Sequence, residues 1–198
     1  MQKTDSAAIV QDQSLHELND VTEPTGNLPL EANGKSVTAH GHYIANFKAP
    51  NQVSGDGEVA DWEVALLQTD TASAILVVRG LWSERMASPE IVMATDVTIT
   101  GIMYPHQNND RALNTASELS RLDASLLTSV TDLQLYDGFI ALTSETTRLG
   151  EVDRIRVAPE MEKGKVTGYY WQHISYVFIW WLLALLVLAA PFYKGRER

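Results

Sequence analysis

Residues 62–79 read WEVALLQTDTASAILVVR, two apolar runs of seven residues separated by the polar link Thr69-Asp70-Thr71-Ala72. Short runs rich in Val, Ile and Leu, bounded by turn residues, predict two paired strands with buried faces. The pattern predicts a hairpin, Trp62–Gln68 against Ser73–Arg79. Outward from it, SVTAHGHYI (Ser36–Ile44) and DVTITGIMY (Asp96–Tyr104) read as further strands, the second alternating at Val97, Ile99, Gly101 and Met103. Phe139–Thr143 and Val152–Val157 add two more, with Pro159 ending the last. Val37-Thr38-x-x-Gly41 recurs as Val97-Thr98-x-x-Gly101 sixty residues on, each with a glycine inside a strand, where a bulge or a close backbone approach is expected. Between the strands, Ser117–Val130 places Leu119, Leu122, Leu126 and Val130 on one helical face, with Ser117 as N-cap. Residues 105–116 are polar loop. These elements predict a β-rich α+β fold, a small antiparallel barrel-like sheet with one helix.

The ends of the chain have a different character. Residues 1–35 are polar and acidic and predict an arm, flexible or ordered by a partner, with one short helix near Leu15–Asn19. At the other end, ISYVFIWWLLALLVLAAPF (Ile174–Phe192) carries no charge. Nineteen helical residues span roughly 28 Å, close to a bilayer core of ~30 Å, and Tyr169, Tyr170, Trp171 and Tyr193 flank it as interfacial aromatics do. The expected organisation is an arm (1–35), a β-rich domain (36–160), a membrane-proximal linker (161–173), a transmembrane helix (174–193) and a basic tail (194–198). No positively charged leader with an apolar run opens the sequence as it stands.

There are 25 acidic and 15 basic residues and no cysteine, for a net charge of −10. Disulfides, thiolate metal sites, iron–sulfur clusters and covalent c-type haem are therefore excluded. An acidic surface repels phosphate, so no nucleic-acid partner is expected. The tail carries +2 and the residues before the helix −12. Anionic headgroups would repel such a domain on the cytoplasmic face, so it is expected outside, with the C-terminus cytoplasmic. His40-x-His42 puts two imidazoles on one strand face without a third ligand at metal spacing. GxSxG, HExxH and phosphate-loop patterns are absent, and no catalytic or metal residues are expected. His173 lies at the helix entrance, with Tyr176, Trp180, Ala184 and Val187 on its face. An indole N–H in hydrocarbon prefers a partner, so Tyr176, Trp180, Trp181 and Ala184 are the expected partner-binding residues. Imidazole can also ligate haem iron, while the plainer role for His173 is a bond to lipid headgroups.

Four segments resemble the surfeit-locus-one family of cytochrome c oxidase biogenesis proteins. Val37–Tyr43 is similar to its V-x-V-x-G-x-Y strand, Ile75–Trp82 to V-L-V-N-R-G-W, Val97–Gly101 to its second V-x-V-x-G strand, and His173–Trp180 to H-L-x-Y-A-x-x-W. The resemblance implies a bacterial plasma-membrane protein with an extracytoplasmic domain near an aa3-type oxidase. It also associates His173 with haem a. The family's first transmembrane helix and W-Q-x-x-R motif are missing, Val78 replaces the Asn, and the Trp is shifted to Trp82. The expected function is a non-catalytic accessory subunit or assembly factor of the oxidase, with no resident cofactor. Its partners would be oxidase subunits, a bc-type complex in a supercomplex, and the lipid bilayer. The alternatives are a haem a chaperone using His173 and a tail-anchored adaptor or sensor.

Overall fold

The computed structural model describes residues 14–69, 72–87, 96–160 and 168–194, with side chains described for 14–69, 72–85, 96–160 and 173–188. The chain forms two compact units, Met1–Met161 and Glu162–Arg198. The first contains β1 (Leu15–Glu17), α1 (Leu18–Val21), β2 (Ser36–Val53), β3 (Val59–Thr69), β4 (Ser73–Leu81), α2 (Trp82–Ala87), β5 (Asp96–Tyr104), β6 (Gln134–Thr147) and β7 (Gly150–Glu151). The second contains α3 (Gly168–Lys194). The molecule is α+β and sheet-rich, with few helices among the described residues.

The expected hairpin is present: β3 and β4 pair antiparallel, with Leu66 opposite Leu76 and Leu67 opposite Ile75. Asp70 and Thr71 of its expected loop lie outside the described residues. The unbroken apolar runs are explained by burial of both faces. Ala65, Leu67, Ile75 and Val77 belong to one core cluster. Val64, Leu66, Leu76 and Val78 belong to the other.

The strand order closes on itself. β2 pairs with β3, β3 with β4, β4 with β6, β6 with β5, and β5 with β2. Five strands in this order, with α2 between the third and fourth, have the connectivity of an OB barrel. One pairing departs from the antiparallel expectation: β4 and β6 run parallel. α2, β5 and a long loop separate them in sequence, so no tight turn dictates their direction.

The two V-T-x-x-G segments turn out to be each other's partners. Val37 stands opposite Gly101 and Gly41 opposite Val97. Each glycine sits where a third strand crowds the pair. A Cβ on Gly41 would lie 1.9 Å from the Gln68 carbonyl oxygen, and one on Gly101 2.4 Å from that of Ala141. At Gly41 the eighteen-residue β2 passes from β5 to β3, and this change of partner closes the barrel.

Several sequence expectations are corrected. Residues 1–13 of the expected arm lie outside the described residues, but from residue 14 the chain is part of the domain. β1 pairs parallel with β2, Leu18, Val21 and Ala32 are buried, and the Thr25 and Gly34 amides donate to the Leu135 and Met103 carbonyls. The Ser117–Val130 helix is absent. Only a 3-10 turn, Ala124–Leu127, forms there, capped by Asp123 accepting from the Ser125 amide at 2.8 Å. Leu119 and Leu122 are buried as expected, but the backbone bonds go elsewhere. The Lys48 amide donates to the Ser117 carbonyl, the Leu119 amide to that of Lys48, and the Gln107 amide to that of Leu122. These bonds cover the outer edge of β2. The Val152–Val157 strand is also absent: pairing stops after the two residues of β7. The linker expected at 161–173 is helical from Gly168.

α3 covers the whole of the expected helix at 174–193. Among the described residues, however, no helix is long and apolar enough to cross a membrane. The expected transmembrane span is therefore not borne out by the fold.

Candidate functional site

On α3, steps of three, four and four residues bring His173, Tyr176, Trp180 and Ala184 to a common face, while Trp181 lies about 100° round from Trp180. His173 and Ala184 are exposed, Tyr176 is 60% exposed, and Trp180 and Trp181 are each 70% exposed. A haem site needs an axial ligand inside an apolar enclosure. One exposed imidazole does not fit that need, so the described residues do not form a haem pocket at His173. Among the described residues, no group of three His, Asp or Glu could hold a metal ion. His40 is exposed and His42 half-buried on β2, opposite Thr98 and Asp96.

The barrel itself holds a site that the motifs only hinted at. Arg79 of the Arg-Gly segment points into the barrel from β4, 2% exposed, and its guanidinium stacks 4.4 Å above the Tyr43 ring. It donates to Glu63 of β3 at 3.2 Å and to Glu145 of β6 at 2.7 Å; both glutamates are fully buried. Arg85 of α2 donates to Glu63 at 3.0 Å, and Asn46 of β2 does so at 2.7 Å. Two more arginines come from residues 152–157. Arg156 donates to the Arg79 carbonyl at 2.8 Å and to Glu145 at 3.4 Å. Arg154 Nη1 stands 2.6 Å from Glu63 Oε2, a close charge contact without hydrogen-bond alignment. Gly80 makes room for this closure. Its φ is +152°, and a Cβ there would lie 2.6 Å from the Ile155 carbonyl oxygen.

The electrostatics follow from these partners. Burial alone would raise the Glu63 carboxyl, but the guanidiniums of Arg79 and Arg154 and the Asn46 amide outweigh it and hold it below its ordinary value. Burial would lower Arg79, but the carboxylates of Glu145 and Glu63 hold it up. Burial, then the nearby Glu145, pushes the Tyr43 hydroxyl up, so it stays neutral. Glu63 and Arg79 are thus held charged and Tyr43 neutral by their surroundings. The cluster's chemistry is architectural: it seals one end of a barrel whose middle is apolar.

Sequence reasoning missed the partners. No site role was expected for Glu63, Glu145, Arg154 or Arg156. The available signal was a charged residue interrupting an apolar strand run, as Glu63 does in WEVALLQ. The opposite end of the barrel has a cleft of about 700 Å³ lined by His106, Asp123, Asp132 and Asp137 among others. There His106 Nδ1 pairs with Asp137 at 2.7 Å, and the other Asp137 oxygen accepts from the Leu28 amide.

The sequence profile of the SURF1 family matches residues 2–185. No curated protein matches the chain. Among solved structures, an Entamoeba histolytica asparaginyl-tRNA synthetase in complex with asparaginyl-adenylate is similar at 15% identity and a TM-score of 0.34, over 71% of this chain and 24% of that one. So slight a likeness covers under a quarter of that enzyme and carries no argument about activity. The family match runs through the paired V-T-x-x-G strands, the Arg-Gly segment that seals the barrel and the first two thirds of α3. The chain belongs to the SURF1 family of cytochrome c oxidase assembly proteins.

Proposed function

We propose that this chain is a non-catalytic, membrane-anchored accessory protein of an aa3-type cytochrome c oxidase, held to it through α3. The family match supports the oxidase. The observation that carries the rest is the surface of α3. Its described large apolar side chains from Ile174 to Leu188 are 43–73% exposed, and a continuous apolar surface of that kind marks a protein or membrane contact. The uncharged stretch continues to Tyr193, one residue short of the end of α3 at Lys194. Within that surface Tyr176, Trp180 and Trp181 carry polar atoms that want acceptors in hydrocarbon, which an oxidase helix would supply. The acidic domain lies outside the membrane and the basic tail in the cytoplasm.

Affinity capture of the tagged chain from membranes in mild detergent tests this reading. Oxidase subunits are expected in the captured material, and their absence would overturn it. Recovery of about one chain per oxidase identifies a permanent subunit, with or without a bc-type partner; a much smaller share identifies an assembly factor. Protease protection in oriented vesicles decides between this topology and a tail-anchored cytoplasmic adaptor.

A haem-handling role is the second reading, and it rests on the resemblance around His173–Trp180. The exposed His173 ring would require a partner to complete the enclosure. Purified complex in which His173→Ala leaves the haem spectrum unchanged would sink it.

A further inference from the structure

The charged barrel end is closed by a segment that is held in an unusual way. Between β7 and the isolated bridge Ser54–Pro159, residues 152–158 form no ladder. Apolar burial is confined to Pro159 at its end: Ile155 is 61% exposed and Val157 only partly buried. What binds the segment is charge, Arg154 to Glu63 and Arg156 to Glu145. A few backbone bonds add to this. The Ile155 amide donates to the Glu84 carboxylate at 3.2 Å, the Val152 amide to the Glu145 carbonyl and the Gly55 amide to the Ala158 carbonyl.

The glutamates do not depend on this segment alone. Arg79 bridges both of them from within the barrel, and Arg85 reaches Glu63 from α2. Buried carboxylates left with no counter-charge would be very costly. With Arg79 in place they keep one when Arg154 and Arg156 leave. The barrel is therefore built to survive loss of its cover, and over residues 152–158 the cover is held with neither a strand ladder nor a fully buried apolar side chain.

We propose that residues 152–160 form an ionic latch, a strap that opens as one unit while the five-stranded barrel stays folded. In sequence the strap precedes the segment leading to α3. Its release frees nine residues, adding roughly 30 Å to the covalent tether between barrel and helix. A family member anchored beside a partner would gain reach without unfolding. The latch does not depend on which partner α3 meets.

Hydrogen exchange on the full chain in detergent micelles tests the latch. The amides of Val152, Ile155 and Gly55 are expected to exchange at one common rate, at least ~10-fold faster than those of Val77 and Ile140. Arg156→Gln should accelerate the strap amides a further ~10-fold and leave Val77 and Ile140 unchanged. Because the chain has no cysteine, Ser54→Cys with Pro159→Cys gives a lock at the bridged pair. Oxidation should slow the strap amides to the barrel rate, and reduction should restore them. The lock also serves if Arg156→Gln does not fold. Strap amides that exchange at the barrel rate before locking, or an Arg156→Gln effect spread equally over the barrel, would overturn the proposal.

Discussion

At the residue scale, single positions decide whether the charged end can close. Gly80 combines a φ of +152° with a carbonyl 2.6 Å from where a Cβ would sit. Gly80→Ala is expected to cost about 2–3 kcal/mol, read as a lower denaturant midpoint with an unchanged slope. Glu63 makes a different prediction. Its folded-state value is depressed, so the stability it provides is complete above the unfolded value, about 4.3. That stability is lost as pH falls through the lower folded value. Thermal unfolding between pH 3 and 6 should show the wild type losing stability below about pH 4. Glu63→Gln should be less stable by about 3 kcal/mol at pH 7 and show a flatter acid slope. An equally steep slope in the variant would assign the acid sensitivity to other carboxylates. Neither the charge of Glu63 nor that of Arg154 is exceptional in the sequence. Their meaning depends on a partner 91 residues away that only folding brings to 2.6 Å.

At the element scale, the five barrel strands were legible, while the expected Val152–Val157 strand and Ser117–Val130 helix do not form. The hairpin and Asp96–Tyr104 carry their periodicity locally, and β5 matches its expected bounds. In 117–130 the leucines do face a core, but a helix is not the only way to bury them. Tertiary bonds to Lys48 and Gln107 satisfy the backbone instead, and the helical spacing was coincidental. Leu122, fully buried in the outer core cluster, should cost about 2–4 kcal/mol on truncation to Ala, measured by chemical denaturation. Val130, on the supposed same face but 55% exposed, should cost under about 0.5 kcal/mol. A true helix with both residues on its buried face would give comparable losses. For α3 the expected effect is on binding. Tyr176→Ala with Trp180→Ala should reduce recovery of oxidase subunits by about tenfold, since aromatic anchors dominate such contacts. The barrel's unfolding midpoint should not move. Recovery equal to wild type would place the contact elsewhere.

At the scale of the whole molecule, a closed acidic barrel and a long apolar helix form separate units of one chain. The barrel has the connectivity of a fold that often binds nucleic acid. A net charge of −10 argues against that use here, and fold alone does not assign function. The purified chain is therefore expected to show no measurable binding to single-stranded DNA at low salt, read by fluorescence anisotropy. A tight, salt-sensitive complex with single-stranded DNA would contradict the charge argument. Periodicity and composition determined by themselves that this is a β-rich domain followed by a long uncharged helix, because those signals are local along the chain. Only the tertiary structure decided that the two V-T-x-x-G strands pair with each other, that β4 and β6 run parallel, and that Arg79, Arg154 and Arg156 meet Glu63 and Glu145. Each of these joins residues far apart in sequence, and their energies depend on burial and distance that no local pattern encodes.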